Sequence, residues 1–230
     1  MERVLITGAS RGIGRALALR LARPGRELLL HGRAAAALGE VERLVKERGG
    51  DAAILTGDLA HPQEVEALAE AAGSPPLTAL VNNAGVAIVK PLPELTLREW
   101  EESLAINLTA PFLLCRALAP RMGPDATIVN VLSVAARQGF PGWGAYCAAK
   151  FALEGLSQCL REELRPAGIR VVNVYPAATS TGLWDGVAGV WPRERMLAPE
   201  EVAEIIAFAL ERPTDVLVSE LAVGHRAGTL

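Results

Sequence analysis

The sequence is poor in the residues that build metal sites and disulfide frameworks. Its 230 residues include three cysteines and three histidines, and neither type falls at the spacing that metal ligands require. An odd number of cysteines without a pairing pattern indicates free thiols in a reducing compartment. We therefore expect no metal site, and we expect inert, buried thiols rather than reactive ones at Cys115, Cys147 and Cys159.

The chain also lacks a block of one charge and a long apolar run. Lys and Arg number 23 and Asp and Glu 26, a net charge of -3, so no basic stretch could follow a phosphate backbone and nucleic acid is not an expected partner. No uninterrupted apolar run reaches the ~18 residues of a membrane span. The first apolar segment starts at Val4, which leaves no room for a secretory signal. These absences favour a cytoplasmic protein that does not enter a membrane.

What the sequence does contain is an alternation of short apolar runs and longer segments of helical period. Runs that are apolar on both faces are typical of buried parallel strands. The predicted strands are Val4 to Thr7, Glu27 to His31, Ala52 to Thr56, Ala79 to Asn82, Thr127 to Leu132 and Arg170 to Tyr175. The predicted helices cover 12–23, 35–48, 62–72, 96–121, 144–165 and 199–211. This order predicts a doubly wound α/β sheet in a single domain over 1–230.

One long segment has no regular pattern. Residues 177–198 are rich in Gly, Thr, Trp and Pro, and loops of this length in compact domains tend to be functional. We predict that this segment is the substrate loop. Its Trp184 and Trp191, together with Phe140, either line the substrate or simply pack, and the sequence leaves both interpretations open.

Three glycines follow the first predicted strand. Gly8, Gly12 and Gly14 stand on the strand-to-helix turn where a pyrophosphate binds, since glycine lets the backbone approach the anion and the helix amino terminus offers unpaired N–H groups. Their spacing differs from the Gly-x-Gly-x-x-Gly form of many dinucleotide folds. A plain tight turn is the alternative interpretation.

The second predicted strand ends without the acid that would hold an adenosine ribose 2′-OH. It runs into Arg33 instead, and the guanidinium groups of Arg33 and Arg11 could pair with a 2′-phosphate through charge-assisted bonds. Two solvated arginines on exposed turns are the alternative. On this argument NADP(H) is favoured over NAD(H).

Short polar motifs follow the next two strands, and a Tyr/Lys pair opens a later helix. Gly57-Asp58-Leu59 and Asn82-Asn83-Ala84-Gly85 fall at the sheet edge where ligands bind in open α/β folds. Tyr146 and Lys150 are one helical turn apart and share a face. An adjacent ammonium should lower the phenol pKa, so that Tyr146 can exchange a proton with a substrate oxygen. Ser133 can hydrogen-bond the same oxygen, and Asn107 can hold a water that links Lys150 to solvent.

Together these residues resemble the short-chain dehydrogenase/reductase family across nearly the whole chain. The matching motifs are Thr-Gly-x-x-x-Gly-x-Gly at 7–14, Asn-Asn-Ala-Gly at 82–85, Asn107, Ser133 and Tyr-x-x-x-Lys at 146–150. The resemblance implies a Rossmann-type sheet with Tyr146 as catalytic acid/base and Ser133 as donor to the substrate oxygen. Lys150 would bind the nicotinamide ribose and tune the tyrosine, and Asn107 would complete a proton relay. The further cofactor contacts that it implies are Ser10, Arg11, Ile13, Asp58, Leu59, Asn83, Thr179 and Thr181.

The resemblance also has departures and leaves alternatives. The family usually has Pro-Gly after the sixth strand, whereas Ala177 follows Pro176 here, and its β-carbon restricts a positive φ. The carboxyl terminus lacks the Gly-Gly ending of many acyl-carrier-protein reductases, and it is more similar to broad carbonyl or hydroxy-acid reductases. The resemblance implies a homodimer or homotetramer that acts on a small carbonyl or alcohol. A dinucleotide-binding sensor without turnover and an epimerase or lyase remain alternatives.

Overall fold

The computed structural model describes residues 1–189, 191–226 and 228. Within that part, strands and helices alternate along the chain. The strands are β1 (Glu2–Ile6), β2 (Arg26–Gly32), β3 (Asp51–Thr56), β4 (Ala79–Asn82), β5 (Thr127–Val131), β6 (Arg170–Pro176) and β7 (Glu220–Val223). The α-helices are α1 (Gly12–Leu21), α2 (Ala35–Glu47), α3 (Pro62–Ala72), α4 (Leu97–Leu104), α5 (Ala110–Leu118), α6 (Gly144–Leu164) and α7 (Pro199–Leu210).

All seven strands form one parallel sheet in the order β3-β2-β1-β4-β5-β6-β7. The chain builds outward from β1 in one direction and then from β4 in the other, so the sheet has a switch point between these two strands. Ligands in such sheets bind at the carboxyl ends of the strands beside that point. The predicted doubly wound, Rossmann-type single domain is confirmed. Only β7 lies outside the predicted strands.

Two apolar layers enclose the sheet. One core packs α1, α2 and α7 against one face of the sheet, and the other packs α3 and α5 against the opposite face. The central strands β4 and β5 are buried at every residue, which explains why their sequences are apolar without alternation. The carboxyl edge of the sheet therefore stands on a scaffold that is packed on both faces.

The predicted helix at 96–121 is interrupted. Thr96 and Glu99 form a capping box at the start of α4, but the turn Ala105–Thr109 is π-helical before α5 begins. Asn107 lies in this turn and is fully buried. Such π-helical turns frequently occur at functional sites.

The segment that includes this turn also has the composition of a membrane span. Among the described residues, Leu97–Arg121 is the helix that is long and apolar enough to cross a bilayer, and 56% of the window that qualifies is buried inside the structure. The core helix of a soluble protein passes the same test.

Candidate active site

A single cavity of about 680 Å³ opens at the carboxyl edge of the sheet and collects most of the predicted site residues. The residues that sequence reasoning nominated and that line it are Gly8, Ser10, Arg11, Gly12, Ile13, Arg33, Asp58, Leu59, Asn83, Ser133, Tyr146, Lys150, Thr179 and Thr181. Gly14 and Asn107 lie behind the cavity wall. The glycine turn, the nucleotide-binding candidates and the Tyr/Lys pair thus share one space.

The glycine turn is shaped for an anion. A β-carbon on Gly14 would lie 2.3 Å from the Gly8 carbonyl oxygen and 2.6 Å from Asn83 Nδ2, and Gly8 and Gly12 both have positive φ. The amino terminus of α1 begins after Arg11 without a side-chain cap, so its first N–H groups remain available to a ligand. This backbone cradle fits the pyrophosphate of a dinucleotide.

Asn83 holds this turn in place. Its Nδ2 donates hydrogen bonds to the carbonyl oxygens of Thr7 at 2.8 Å and Gly8 at 3.3 Å. The hydroxyl of Thr7 in turn accepts from the backbone N–H groups of Asn83 and Ala84. The end of β4 and the glycine turn therefore form one hydrogen-bonded unit at the switch point of the sheet.

The two arginines proposed to share a 2′-phosphate have different neighbours. Arg33 is exposed, and its Nη1 lies 3.6 Å from Asp58 Oδ2. The guanidinium of Arg11 lies against Gly182, whose added β-carbon would be 2.6 Å from Arg11 Nη1. Both line the cavity, but the structure does not join them at a common contact. Arg33 alone stands at the carboxyl end of β2, the position predicted for the 2′-phosphate.

Sequence reasoning did not nominate His31, which is buried at the same end of the cavity. Both of its ring nitrogens lack a hydrogen-bond partner, and burial lowers its pKa to about 4. Gly57 lies nearby, since its added β-carbon would be 3.6 Å from His31 Nε2. The signal was available, because a histidine just before Gly-Arg at a strand end faces the ligand edge.

Ser133, Tyr146 and Lys150 come together as predicted, but their electrostatics differ from the prediction. Burial raises the pKa of Tyr146 to about 12, while a hydrogen bond with Ser133 acts to lower it. The Lys150 ammonium donates to the Val131 carbonyl at 2.8 Å and lies 5.6 Å from the centre of the Tyr146 ring. The phenol pKa is therefore raised and not lowered as the Tyr/Lys spacing predicted, because the loss of solvation on burial is the largest cause of its shift.

Burial also changes the pKa of Lys150. It is 3% exposed, and burial lowers the pKa of its ammonium to about 8. A base with that pKa changes charge close to physiological pH. The pair therefore combines a phenol that stays protonated with an amine that can lose its proton.

Asn107 is held rigidly behind this pair. Its Nδ2 donates to the carbonyl oxygens of Val86 and Ser103, both at 2.9 Å, and its Oδ1 accepts from the Val86 N–H at 3.2 Å. Gly85 separates it from Lys150, because a β-carbon there would lie 2.9 Å from Asn107 Oδ1 and 4.0 Å from Lys150 Nζ. The absent side chain leaves a small gap between the amide and the ammonium.

The predicted substrate loop, apart from Val190, which lies outside the described residues, folds back on itself. Thr179 pairs with Leu197 in an isolated parallel bridge, its hydroxyl donates to the Ala177 carbonyl, and the Thr181 hydroxyl accepts from Leu183 N–H. Ala177 does not have a positive φ, since Asp125 is the non-glycine residue with one among those described. The β-carbon of Ala177 therefore causes no backbone strain at this position.

Aromatic side chains cluster around Tyr146 in the lining of the cavity. Trp143, which sequence reasoning missed, lies 5.6 Å from Tyr146, 5.5 Å from Trp184 and 6.5 Å from Trp191 between ring centres. Phe140 lines the same cavity. The position of Trp143 between two glycines just before α6 could have nominated it.

Metal and thiol chemistry have little support in the described residues. They contain no group of three or more His, Cys, Asp or Glu side chains that could hold a metal ion. Cys115 and Cys147 are buried as expected, but the expectation of burial is wrong for Cys159, which lies on the exposed face of α6. Burial raises the pKa of Cys115 to about 12, which keeps that thiol protonated and unreactive.

Comparison with known proteins assigns the chain to one family. A family model described as short chain dehydrogenase matches residues 2–188. The chain belongs to this family of oxidoreductases. It is 36% identical over 222 residues to the D-threitol dehydrogenase of Mycolicibacterium smegmatis. The alignment covers 89% of this chain and 84% of that protein.

Other relatives extend the similarity to nearly the full length. The sepiapterin reductase of Chlorobaculum tepidum is 31% identical, with 99% of this chain and 97% of that protein covered. The alcohol dehydrogenase of the archaeon Thermococcus sibiricus, solved with 5-hydroxy-NADP, superposes with a TM-score of 0.91 at 28% identity and covers 99% of this chain and 98% of its own. Several further matched structures are complexes with NADP or NADPH.

Proposed function

We propose that the protein transfers a hydride between NADP(H) and a carbonyl or secondary alcohol, with Tyr146 as the general acid/base. The observation that carries the proposal is the shared cavity, which places the anion cradle of α1 and the Ser133, Tyr146 and Lys150 cluster in one space. The whole chain, 1–230, would serve as one dinucleotide-binding and catalytic domain.

The cofactor fits the residues present. Gly8, Gly12 and Gly14, with the free amino terminus of α1, would hold the pyrophosphate, and Asp58 and Leu59 would border the adenosine. The remaining proposed contacts are Ser10, Arg11, Ile13, Arg33, Asn83, Tyr146, Lys150, Thr179 and Thr181. When bound, the nicotinamide supplies or accepts the hydride.

The protein's own residues handle the proton. With its pKa raised to about 12, Tyr146 is protonated at neutral pH, and in carbonyl reduction its hydroxyl donates a proton to the substrate oxygen as negative charge develops there. Ser133 donates a hydrogen bond to the same oxygen. Below pH 8 the Lys150 ammonium is positively charged and stabilises the phenolate that remains. Lys150 then gives a proton back to the phenolate, and a water held by Asn107 returns a proton to the neutral Lys150 amine.

Replacing Tyr146 tests this role. Tyr146→Phe keeps the ring but removes the proton, and we expect its kcat for NADPH oxidation with a reducible ketone to fall at least about a thousandfold. NADPH affinity, measured by titration, should stay within a few fold. Full turnover by the folded variant would contradict the mechanism.

NADP(H) is the proposed cofactor because Arg33 stands where a 2′-phosphate would lie and because several matched structures hold NADP or NADPH. Arg33 is paired only loosely with Asp58, at 3.6 Å and largely in solvent, so the guanidinium can turn toward a phosphate at little cost. We expect the wild type to bind NADPH about tenfold or more tightly than NADH, since a hydrogen bond to a charged group contributes about 1.5–3 kcal/mol.

Arg33→Asp should remove or reverse that preference. Arg43→Asp, a change at another exposed arginine outside the cavity, serves as the control and should leave it intact. Equal or tighter NADH binding by the wild type would show that Arg11 and Arg33 do not select the cofactor.

Oligomer and location complete the proposal. Phe112 on α5 and Phe151 on α6 are exposed apolar side chains on the two helices whose pairing the family resemblance implies. We propose that the protein forms a homodimer or homotetramer and acts in the cytoplasm. Light scattering of the purified protein and of Phe112→Asp would test the oligomeric state.

A further inference from the structure

Aromatic residues are scarce in this chain and concentrated at one place. The sequence has four Trp, four Phe and two Tyr, and five of these ten line the active-site cavity. Apart from Tyr146, these side chains have no part in the proton chemistry proposed above. The five residues, called the aromatic wall below, are Phe140, Trp143, Tyr146, Trp184 and Trp191.

The rings of the wall adjoin one another and reach the reacting phenol. Trp143 contacts Tyr146 edge to face at 5.6 Å and Trp184 at 5.5 Å, while Trp184 and Trp191 are 4.8 Å apart. These separations fall in the range of favourable aromatic pairs. A ring-bearing ligand could therefore contact Trp143 while its carbonyl oxygen reaches Tyr146.

The wall is held in place by hydrogen bonds at its base. Trp184 Nε1 donates to the Thr179 carbonyl at 2.9 Å and Trp191 Nε1 to the Ala188 carbonyl at 3.2 Å. Arg193 fastens the same loop by donating to the Thr181 carbonyl at 2.7 Å. Trp184 is nearly buried, but Trp143 and Trp191 remain partly exposed, so ring surface is left for a ligand.

None of the five wall residues except Tyr146 is titratable, and two cations of the cavity approach the wall: the Arg11 guanidinium lies against Gly182, and Lys150 Nζ is 5.6 Å from the centre of the Tyr146 ring. Arg11 precedes α1, and Arg33 and Asp58 follow β2 and β3, at the end that fits the nucleotide. Lys150 donates to a backbone carbonyl behind Tyr146. The remaining charged residue that lines the cavity in the described part of the chain is Glu102, which would repel an anion. In the proposed function Arg11 and Lys150 contact the cofactor, so neither remains to pair with a substrate carboxylate or phosphate at the wall.

We propose that the aromatic wall selects a neutral carbonyl compound in which an aromatic ring adjoins the carbonyl group, with the ring packed on Trp143 and Trp191. This inference rests on the proposed function, because it takes the carbonyl to be the group that Tyr146 protonates. Aromatic contacts add to area burial, so the ring itself, beyond its size, should raise affinity.

Three probe ketones test the proposal. 2-Acetylnaphthalene has the proposed chemistry, its decahydro counterpart keeps the carbon skeleton without aromaticity, and 6-acetyl-2-naphthoate adds a negative charge. Calorimetry on the protein saturated with NADP⁺ measures binding without turnover. We expect 2-acetylnaphthalene to bind about tenfold more tightly than either of the others, a difference of about 1.4 kcal/mol.

Substitutions locate the effect. Trp143→Leu and, separately, Trp191→Leu should weaken 2-acetylnaphthalene binding about tenfold while changing binding of the decahydro ketone less than threefold. Trp100→Leu is the matched control, because Trp100 is the one tryptophan in the sequence that does not line the cavity, and it should change neither. Trp143→Phe and Trp191→Phe keep a ring and should retain most of the affinity. NADPH titration confirms that each variant is folded.

The outcomes separate this inference from the proposed function. Equal binding of the aromatic and saturated ketones, or insensitivity to both Leu variants, overturns the wall as a selector even if Tyr146-dependent turnover is found. Preferred binding of the charged ketone overturns it as well. Tryptophan-dependent binding of 2-acetylnaphthalene without any NADPH oxidation supports the wall and contradicts the proposed function.

Discussion

The glycine turn and the aromatic wall, the two ends of the cavity, differ in what they offer a ligand. At the glycine turn the protein uses backbone: positive φ at Gly8 and Gly12 and uncapped N–H groups at α1. At the aromatic wall it uses large side chains, on a loop and before α6. Binding by the backbone requires glycines, which have no side chain, so adding a single methyl group to the turn should weaken ligand binding. Binding by side chains depends on the surface area of the rings that contact the ligand, so affinity can change gradually as those side chains are substituted. The first end suits an invariant cofactor group and the second a variable substrate.

The largest effect should come from the charged group between these ends. Lys150→Met keeps much of the side-chain volume but removes the ammonium, and we expect carbonyl reduction at pH 7 to slow about a thousandfold. Because the pKa of Lys150 is lowered to about 8, the wild-type ammonium is charged below that pH and neutral above it. The kcat/KM of reduction should therefore fall as pH rises through about 8.

The pH profile of Lys150→Met provides the control. It should lack this fall, since the group that titrates is gone. A wild-type rate that stays constant from pH 6.5 to 9.5 would show that the charge of Lys150 does not support the proton transfer.

The next largest effect tests the backbone end. Gly14→Ala should weaken NADPH binding about a hundredfold, because its β-carbon would lie 2.3 Å from the Gly8 carbonyl oxygen and the turn must shift to admit it. Gly155→Ala in α6 is the matched control, since a β-carbon there has nothing within 4 Å. It should leave binding unchanged and stabilise the protein by up to about 1 kcal/mol.

Titration calorimetry with NADPH and thermal unfolding measure both changes. If Gly14→Ala bound NADPH as well as Gly155→Ala does, the turn would tolerate side chains and the contrast between the two ends would be lost.

The smallest effect concerns the free energy of unfolding, through the buried His31. Burial lowers the pKa of His31 to about 4 in the folded protein, against about 6.5 when unfolded, so the unfolded chain binds the extra proton between these values. Stability should therefore fall as pH drops from 6.5 to 4, by about 2 kcal/mol from this residue. Urea unfolding of wild type and His31→Leu across this range isolates the contribution.

His31→Leu should reduce the pH dependence of the free energy of unfolding between pH 6.5 and 4. His61→Leu is the control, because His61 lies at the exposed start of α3 and pairs with Glu64 in solvent. Parallel curves for the wild type and His31→Leu would mean that His31 is not held neutral.

Much of the fold was accessible from sequence because buried parallel strands have a strong apolar signal. The six predicted strands match β1 to β6 to within about two residues at each end. The strand β7 escaped because Glu220–Val223 is short and partly exposed at the sheet edge, so its pairing with β6 depends on tertiary contacts. The π-helical turn at Asn107 was invisible for the same reason, since helical periodicity runs through it almost unchanged.

The candidate site was predictable where chemistry and spacing coincide, as at Ser133, Tyr146 and Lys150. It was not predictable where burial sets the outcome. Sequence spacing correctly brings Tyr146 and Lys150 to one helix face, but only the structure shows the Val131 carbonyl that draws the ammonium away. Trp143 escaped because a lone aromatic in a loop acquires meaning only when other rings approach it.

The π-helical turn also sets the phase between the two halves of its helix. It holds an extra residue, and one residue of an α-helix corresponds to about 100° of rotation. Leu114 and Leu118 can thus face the core while Glu102 and Ile106 turn toward the cavity. Deleting one residue from this turn would restore a regular α-helix. Leu114 and Leu118 could still face the core, but Glu102 and Ile106 would rotate away from the cavity. We therefore expect helix length at this one turn to affect the shape of the cavity more than the packing of the core.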